Sequence, residues 1–137
     1  MGEIRVKVKL TNSYDETKFR AGELPKHDIR IYEADGMVDT GAVRSVIPAH
    51  VLEKLGVGIR GTRVAEYADG RKESVGMSEG IIFDVMGRDT LEEALILGDE
   101  VLIGQTVLEK LDLLADCANR RLLPNPAHPD QPVSKVK

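Results

Sequence analysis

The chain has 137 residues with a formal net charge of −4, of which 42% are apolar and 31% charged. That length fits one domain able to bury roughly two-thirds of its unfolded surface, and the composition argues against a disordered chain. Charges of both signs are interspersed with no basic stripe, which argues against a nucleic-acid partner, and no run approaches the roughly 18 apolar residues of a membrane span, so no membrane role and a cytoplasmic location are expected.

With no Trp, three Tyr and two Phe, the core must be built from Val, Ile and Leu, and β-branched residues spread along the chain favour strands. Residues 3–10 alternate strictly, Ile4, Val6, Val8 and Leu10 against Glu3, Arg5, Lys7 and Lys9, the period of a half-buried strand. Thr11 to Lys26 is polar with turn formers and reads as a long loop, followed by two short strands, Asp28–Glu33 and Met37–Thr40, around Ala34-Asp35-Gly36. Val43–Ile47 is apolar, and "PAHVLEKLG" is a short helix with Pro48 in its first turn and Gly56 as its stop.

From Arg60 the pattern is strand, turn, strand, with Asp69-Gly70 at the tip suited to a type I′ hairpin. Gly76–Val85 and Leu91–Leu97 continue as strands, strand being preferred over the capping box that Thr90-Leu91-Glu92-Glu93 also matches. Glu100–Ile103 is a strand ending at Gly104, "TVLEKLDL" a second helix, and Leu113–Asp116 with Arg120–Leu123 a closing hairpin. Cys117, the one cysteine, reads as a small buried residue and excludes an internal disulfide. Residues 1–123 therefore form the domain, and the proline-rich 124–137 is expected to be a mobile tail. Val51-Leu52-Glu53-Lys54-Leu55 recurs identically at Val107-Leu108-Glu109-Lys110-Leu111. Two readings stand, coincidence between amphipathic turns or a pseudo-symmetric domain whose halves each run strand, glycine turn, short helix.

His27, His50 and His128 are far apart and form no ligand pair, so no metal or other cofactor is expected. Gly76-Met77-Ser78-Glu79-Gly80 fits G-x-S-x-G, but a strand follows where a nucleophilic serine needs a helix, which makes a serine hydrolase at Ser78 a remote alternative. Asp39-Thr40-Gly41 occurs once, at the end of an apolar run and before Ala42, and is answered later by Leu102-Ile103-Gly104 ahead of the matching helix.

With "VDTGA", a hairpin around "ADG", "LIG" plus helix and the closing "LLADCANRRLLP", the chain resembles the single-lobe, retroviral-type aspartic proteases and their bacterial and archaeal relatives, from about Ile4 to Pro124. The resemblance implies an all-β, closed-barrel acid-protease (retropepsin-like) fold with one or two short helices. It implies an aspartic endopeptidase in which Asp39 meets Asp39 of a second chain across a C2 homodimer, since one chain holds one such aspartate. The two carboxylates share a proton, one activating water and the other polarising the scissile carbonyl of an extended peptide. Thr40 would brace the two active-site loops, Gly41 would admit the substrate backbone, and Tyr67, Asp69 and Gly70 would belong to a flap. Leu102, Ile103 and Gly104 would support the loop. Ala42 has no hydroxyl to hydrogen-bond an ionised carboxylate, which implies activity persisting towards neutral pH. Gln105 and Val43-Arg44 depart from the retroviral pattern, so subsite polarity and inter-subunit ion pairs do not carry over. The alternative within the same fold is a catalytically silent dimeric peptide-binding module.

Overall fold

Alternating residues at the start of the chain form strand β1 (Ile4–Asn12), which buries Ile4, Val8 and Leu10 in a computed structural model that describes residues 3–136. The remaining strands are β2 (Ile31–Val38), β3 (Val46–Ile47), β4 (Ile59–Glu66), β5 (Lys72–Ser78), β6 (Ile81–Val85), β7 (Arg88–Glu92), β8 (Leu95–Ile96), β9 (Leu102–Ile103), β10 (Leu113–Asp116) and β11 (Arg121–Pro124). Three α-helices are interspersed among the described residues, α1 (Ser13–Arg20), α2 (Ala49–Leu55) and α3 (Gln105–Leu111), with a 3₁₀ turn at Lys26–Asp28. The chain is therefore mostly β, as its composition implies, with one helix more than the motifs suggest.

Nine strands join in the order β4-β5-β8-β3-β9-β2-β1-β6-β7, and β10 and β11 pair separately. β1 lies antiparallel to β2 from Ile4↔Val38 to Thr11↔Ile31, while β9 lies parallel to β2 at Met37↔Leu102 and Val38↔Ile103. The core is aliphatic apart from Phe83, and draws Leu10, Ile47, Ile81 and Ile103 from the strands and both helical repeats from above them. α2 buries Val51, Leu52 and Leu55, and α3 buries Val107, Leu108 and Leu111. Each then stops on a left-handed residue, Gly56 at φ 65° and Asp112 at φ 57°. The repeated pentapeptide thus packs the same way twice. Among the described residues no helix is long and apolar enough to cross a membrane.

Several sequence expectations are corrected. The stretch expected as a loop contains α1, whose start is capped by the Asn12 side chain accepting from Asp15 N at 3.0 Å, with Asp15 and Glu16 in the first turn and Lys18 and Arg20 in the last. Its inward residue is Asp15, which accepts from the backbone N, Nε and Nη2 of Arg30, so a carboxylate anchors it and no apolar stripe marks it. β2 is one continuous strand where two were expected. Gly36 lies inside it because a Cβ there would stand 3.1 Å from Val8 Cγ1 and 3.2 Å from Ile103 Cδ1.

The β4–β5 tip is not a type I′ turn, since only Gly70 has positive φ. Tyr67 N donates to Arg71 O and Gly70 N to Tyr67 O, the three-residue loop that ends in a left-handed bulge. The positive-φ pair of a type I′ turn occurs instead at Met86 (φ 55°) and Gly87 (φ 79°), between the register partners Val85 and Arg88. Pro48 is the N-cap of α2 and precedes its first turn. Cys117 is exposed in the β10–β11 turn, not buried.

Past β11, Asn125 Nδ2 and Val133 N donate to the Asp112 carboxylate at 3.0 and 3.1 Å, and His128 Nδ1 lies 2.6 Å from it. The buried Arg88 guanidinium joins Leu111 O and Asp112 O at the end of α3 to His128 O.

Candidate active site

β2 delivers Asp39 at its C-terminal end, where Asp39 N donates to Ile103 O at 2.9 Å, one step beyond the parallel pairing of β2 with β9. The chain then turns tightly: Gly41 N donates to Asp39 Oδ1 at 3.1 Å and Ala42 N to Asp39 O at 3.1 Å. Asp is suited to this place because its short side chain accepts from the N–H two residues on. One carboxylate oxygen is thereby oriented, and the other takes no hydrogen bond from the described residues. Asp39 is half-buried, Thr40 and Gly41 are exposed, and Ala42 is half-buried.

The second turn, Leu102-Ile103-Gly104, supports the first by direct backbone contact. Gln105 N donates to Ala42 O at 2.8 Å, Thr106 N to Val43 O at 3.1 Å, and Gly104 N to the fully buried Ser45 Oγ at 2.9 Å. A Cβ on Gly104 would stand 2.5 Å from the carbonyl carbon of Arg44, so glycine is required there for space. Asp39 to Ala42 and Leu102 to Gly104 therefore form one unit, as their order along the sequence suggests.

Tyr67, Asp69 and Gly70 form a separate unit at the hairpin tip. The Tyr67 hydroxyl donates to the Glu73 carboxylate, which together with burial raises the phenol above its ordinary pKa. Arg71 stacks on the Tyr67 ring at 4.5 Å, and Arg71 N donates to Asp69 Oδ1. Among the described residues no hydrogen bond or ion pair links this tip to Asp39. Ser78 has no exposure and its Oγ accepts from Ala94 N in mid-sheet, which is a structural role and not that of a nucleophile.

Sequence reasoning missed three residues at the support. Ser45 stands in an apolar run and gives no sign that its hydroxyl holds Gly104. Thr106 Oγ1 lies 3.0 Å from Val43 O and 2.6 Å from Glu92 Oε1, and Glu92 is buried, its other oxygen 3.1 Å from Lys110 Nζ. The available signal is parity: in β7 Glu92 occupies the inward phase while Leu91 points out. Beside them Arg44 pairs with Glu93 at 3.2 Å. Glu93 is held below the ordinary carboxylate range first by a hydrogen bond to its own backbone, against the opposing cost of burial, and then by Arg44.

Among the described residues, concavities of roughly 260 to 420 Å³ open on the single chain, lined by residues other than Asp39. A scan against protein-family models and a search of curated protein sequences return no match. Among solved structures the chain is similar to a foamy viral protease-reverse transcriptase bound to an RNA/DNA hybrid, at 23% identity and a TM-score of 0.46 over 56% of this chain. It spans 10% of that chain. The likeness is one of partial shape, and the functional reading below rests on the site.

Proposed function

We propose that this chain is one half of an aspartic endopeptidase, with Asp39 and its counterpart from a second copy meeting about a two-fold axis to activate water. The observation that carries the reading is the presentation of Asp39: one oxygen oriented by Gly41 N–H, the other without a hydrogen-bond partner among the described residues, on an exposed turn fixed to its neighbour by backbone hydrogen bonds. A catalytic carboxylate needs this combination of rigidity and open valence. One acid per chain makes the dimer the simplest route to a pair.

In this reading two carboxylates at hydrogen-bond distance hold one proton between them. The ionised one takes a proton from the attacking water while the protonated one donates to the scissile carbonyl oxygen. Collapse of the tetrahedral intermediate follows proton transfer to the amide nitrogen. Thr40, exposed beside Asp39, braces the opposite loop, and Gly41 gives the substrate backbone room to approach. The β4–β5 hairpin closes over an extended peptide as the flap, and the curled sheet completes the barrel of such a lobe.

The test combines sedimentation with a peptide-library cleavage assay on the wild-type chain and on Asp39→Asn. The expected result is a wild-type dimer that cleaves and an Asp39→Asn dimer that does not. A wild-type dimer without cleavage supports the silent peptide-binding module, and a chain that stays monomeric at high concentration refutes the shared dyad.

A further inference from the structure

Beneath the Asp39 loop, one hydroxyl faces two acceptors. Thr106 Oγ1 lies 3.0 Å from Val43 O and 2.6 Å from Glu92 Oε1, yet a threonine hydroxyl carries a single hydrogen. Val43 O belongs to the residue after Ala42 and already accepts from Thr106 N at 3.1 Å. Glu92 is enclosed, with its side chain 1% exposed against 49% for Lys110. Lys110 Nζ bridges Glu92 Oε2 at 3.1 Å and Leu91 O at 3.1 Å.

We propose that Thr106 and Glu92 are positioning residues, a relay through which the protonation of a buried carboxylate sets how tightly the Asp39 loop is held. The consequence for catalysis rests on the endopeptidase reading, whereas the relay itself does not. With Glu92 ionised, the Thr106 hydrogen goes to the carboxylate, because the shorter, charge-assisted bond is the stronger one. The Thr106 and Val43 oxygens then face each other with lone pairs only. When Glu92 is protonated at Oε1, with Oε2 kept by Lys110, its own O–H donates to Thr106 Oγ1. The Thr106 hydrogen swings to Val43 O, and that carbonyl gains a second donor. One proton enters, one hydrogen changes partner, and no bond between heavy atoms is broken.

Charges of both signs face the carboxylate. Lys110 approaches it from α3, and Arg60, Glu79 and Glu93 share with it a concavity of about 290 Å³. Arg44 is paired with Glu93, and the β6 partner of Glu92 is the uncharged Ile81.

The experiment follows the backbone amides of Val43, Arg44 and Thr106 and the Glu92 side-chain carboxyl by NMR through a pH series, in an Asp39→Asn background that takes away the neighbouring carboxylate. A common step in all four signals is expected. Glu92→Gln should abolish it, because the amide NH₂ donates to Thr106 at every pH, and the amides should sit at their acid-end positions. Thr106→Val should uncouple the loop amides from Glu92, and Thr106→Ser should restore the coupling. Loop amides that still titrate in Glu92→Gln, or that remain coupled to Glu92 in Thr106→Val, would overturn the relay. The readout needs no cleavage, so the relay and the endopeptidase reading can fail separately. In a cleaving wild-type background the relay further predicts that Glu92→Gln changes the pH profile of kcat and leaves KM unchanged.

Discussion

Replacing Gly104 with Ala tests how the two turns are joined. The added methyl would stand 2.5 Å from the carbonyl carbon of Arg44, 2.6 Å from its oxygen and 2.8 Å from Ser45 N. All three atoms are backbone, so no rotamer change relieves the contact, and the turns must separate by most of an ångström to reach ordinary van der Waals distance. The backbone angles of Gly104 (φ −87°, ψ 173°) suit any residue, so the cost is one of space alone. Overpacking at such a place costs about 1–3 kcal/mol. The same movement stretches the buried 2.9 Å bond from Gly104 N to Ser45 Oγ, worth about 1 kcal/mol more. A total near 3 kcal/mol corresponds to a fall in Tm of roughly 10 °C for a domain of this size. Urea and thermal unfolding followed by circular dichroism measure it, with Gly61→Ala as the control. Gly61 lies in β4 with nothing within 4 Å of a Cβ and no positive φ, so its substitution should change stability by no more than about 0.5 kcal/mol. A Gly104→Ala chain as stable as Gly61→Ala would refute the backbone contact between the turns.

Asp15→Ala removes the acceptor of three Arg30 donors beneath α1 and should cost about 1–3 kcal/mol, towards the lower end because the Arg30 guanidinium is half exposed, with loss of hydrogen-exchange protection in α1. Met86→Asn places a residue tolerant of positive φ before Gly87 and should raise stability by about 0.5–1 kcal/mol in urea unfolding. Asp112 is held below the ordinary carboxylate range first by the Asn125 amide, against the opposing cost of burial, and then by Val133 N–H and His128. A folded value below the unfolded one means that its stabilisation is complete above the unfolded value and lost as pH falls through the folded one. Protection of the Val133 amide should therefore persist at neutral and mildly acidic pH and vanish in strong acid, whereas Asp112→Ala should abolish it at every pH.

What was legible in the chain follows from what local pattern encodes. Period-2 alternation locates β1, and apolar spacing with a terminal glycine locates α2, because both signals describe one face of one element. α1 escapes the same treatment because its buried face is the carboxylate of Asp15, whose partner Arg30 lies in the β2 approach, and only the fold brings them together. Gly36 reads as a turn residue until the side chains of Val8 and Ile103 are seen to occupy the space of its missing Cβ. Asp69-Gly70 misleads for a subtler reason: Asp and Gly suit more than one turn, and the pairing of Tyr67 with Arg71 selects the longer loop. At the candidate site the motif residues Asp39 and Gly104 are visible in the sequence. Ser45 and Thr106 are not, and Glu92 only through its inward phase in β7, since a polar residue carries no mark of the partner it will meet.

The duplicated pentapeptide bears on why a chain with this internal repetition presents a single acid. β3 and β9, the short strands before the two repeats, lie antiparallel at Val46↔Leu102, and the helices after them bury equivalent residues. The turn before α3, however, is given over to holding the turn at Asp39. The N–H groups of Gly104, Gln105 and Thr106 all go to Ser45, Ala42 and Val43, and any side chain on Gly104 would collide with the backbone it supports. A turn that must meet its neighbour at backbone distance cannot also project an acidic side chain from that point. The turn before α3 therefore supports the turn that presents Asp39. On the endopeptidase reading the second acid comes from another copy, because Gly104 cannot carry a side chain beside the backbone it supports.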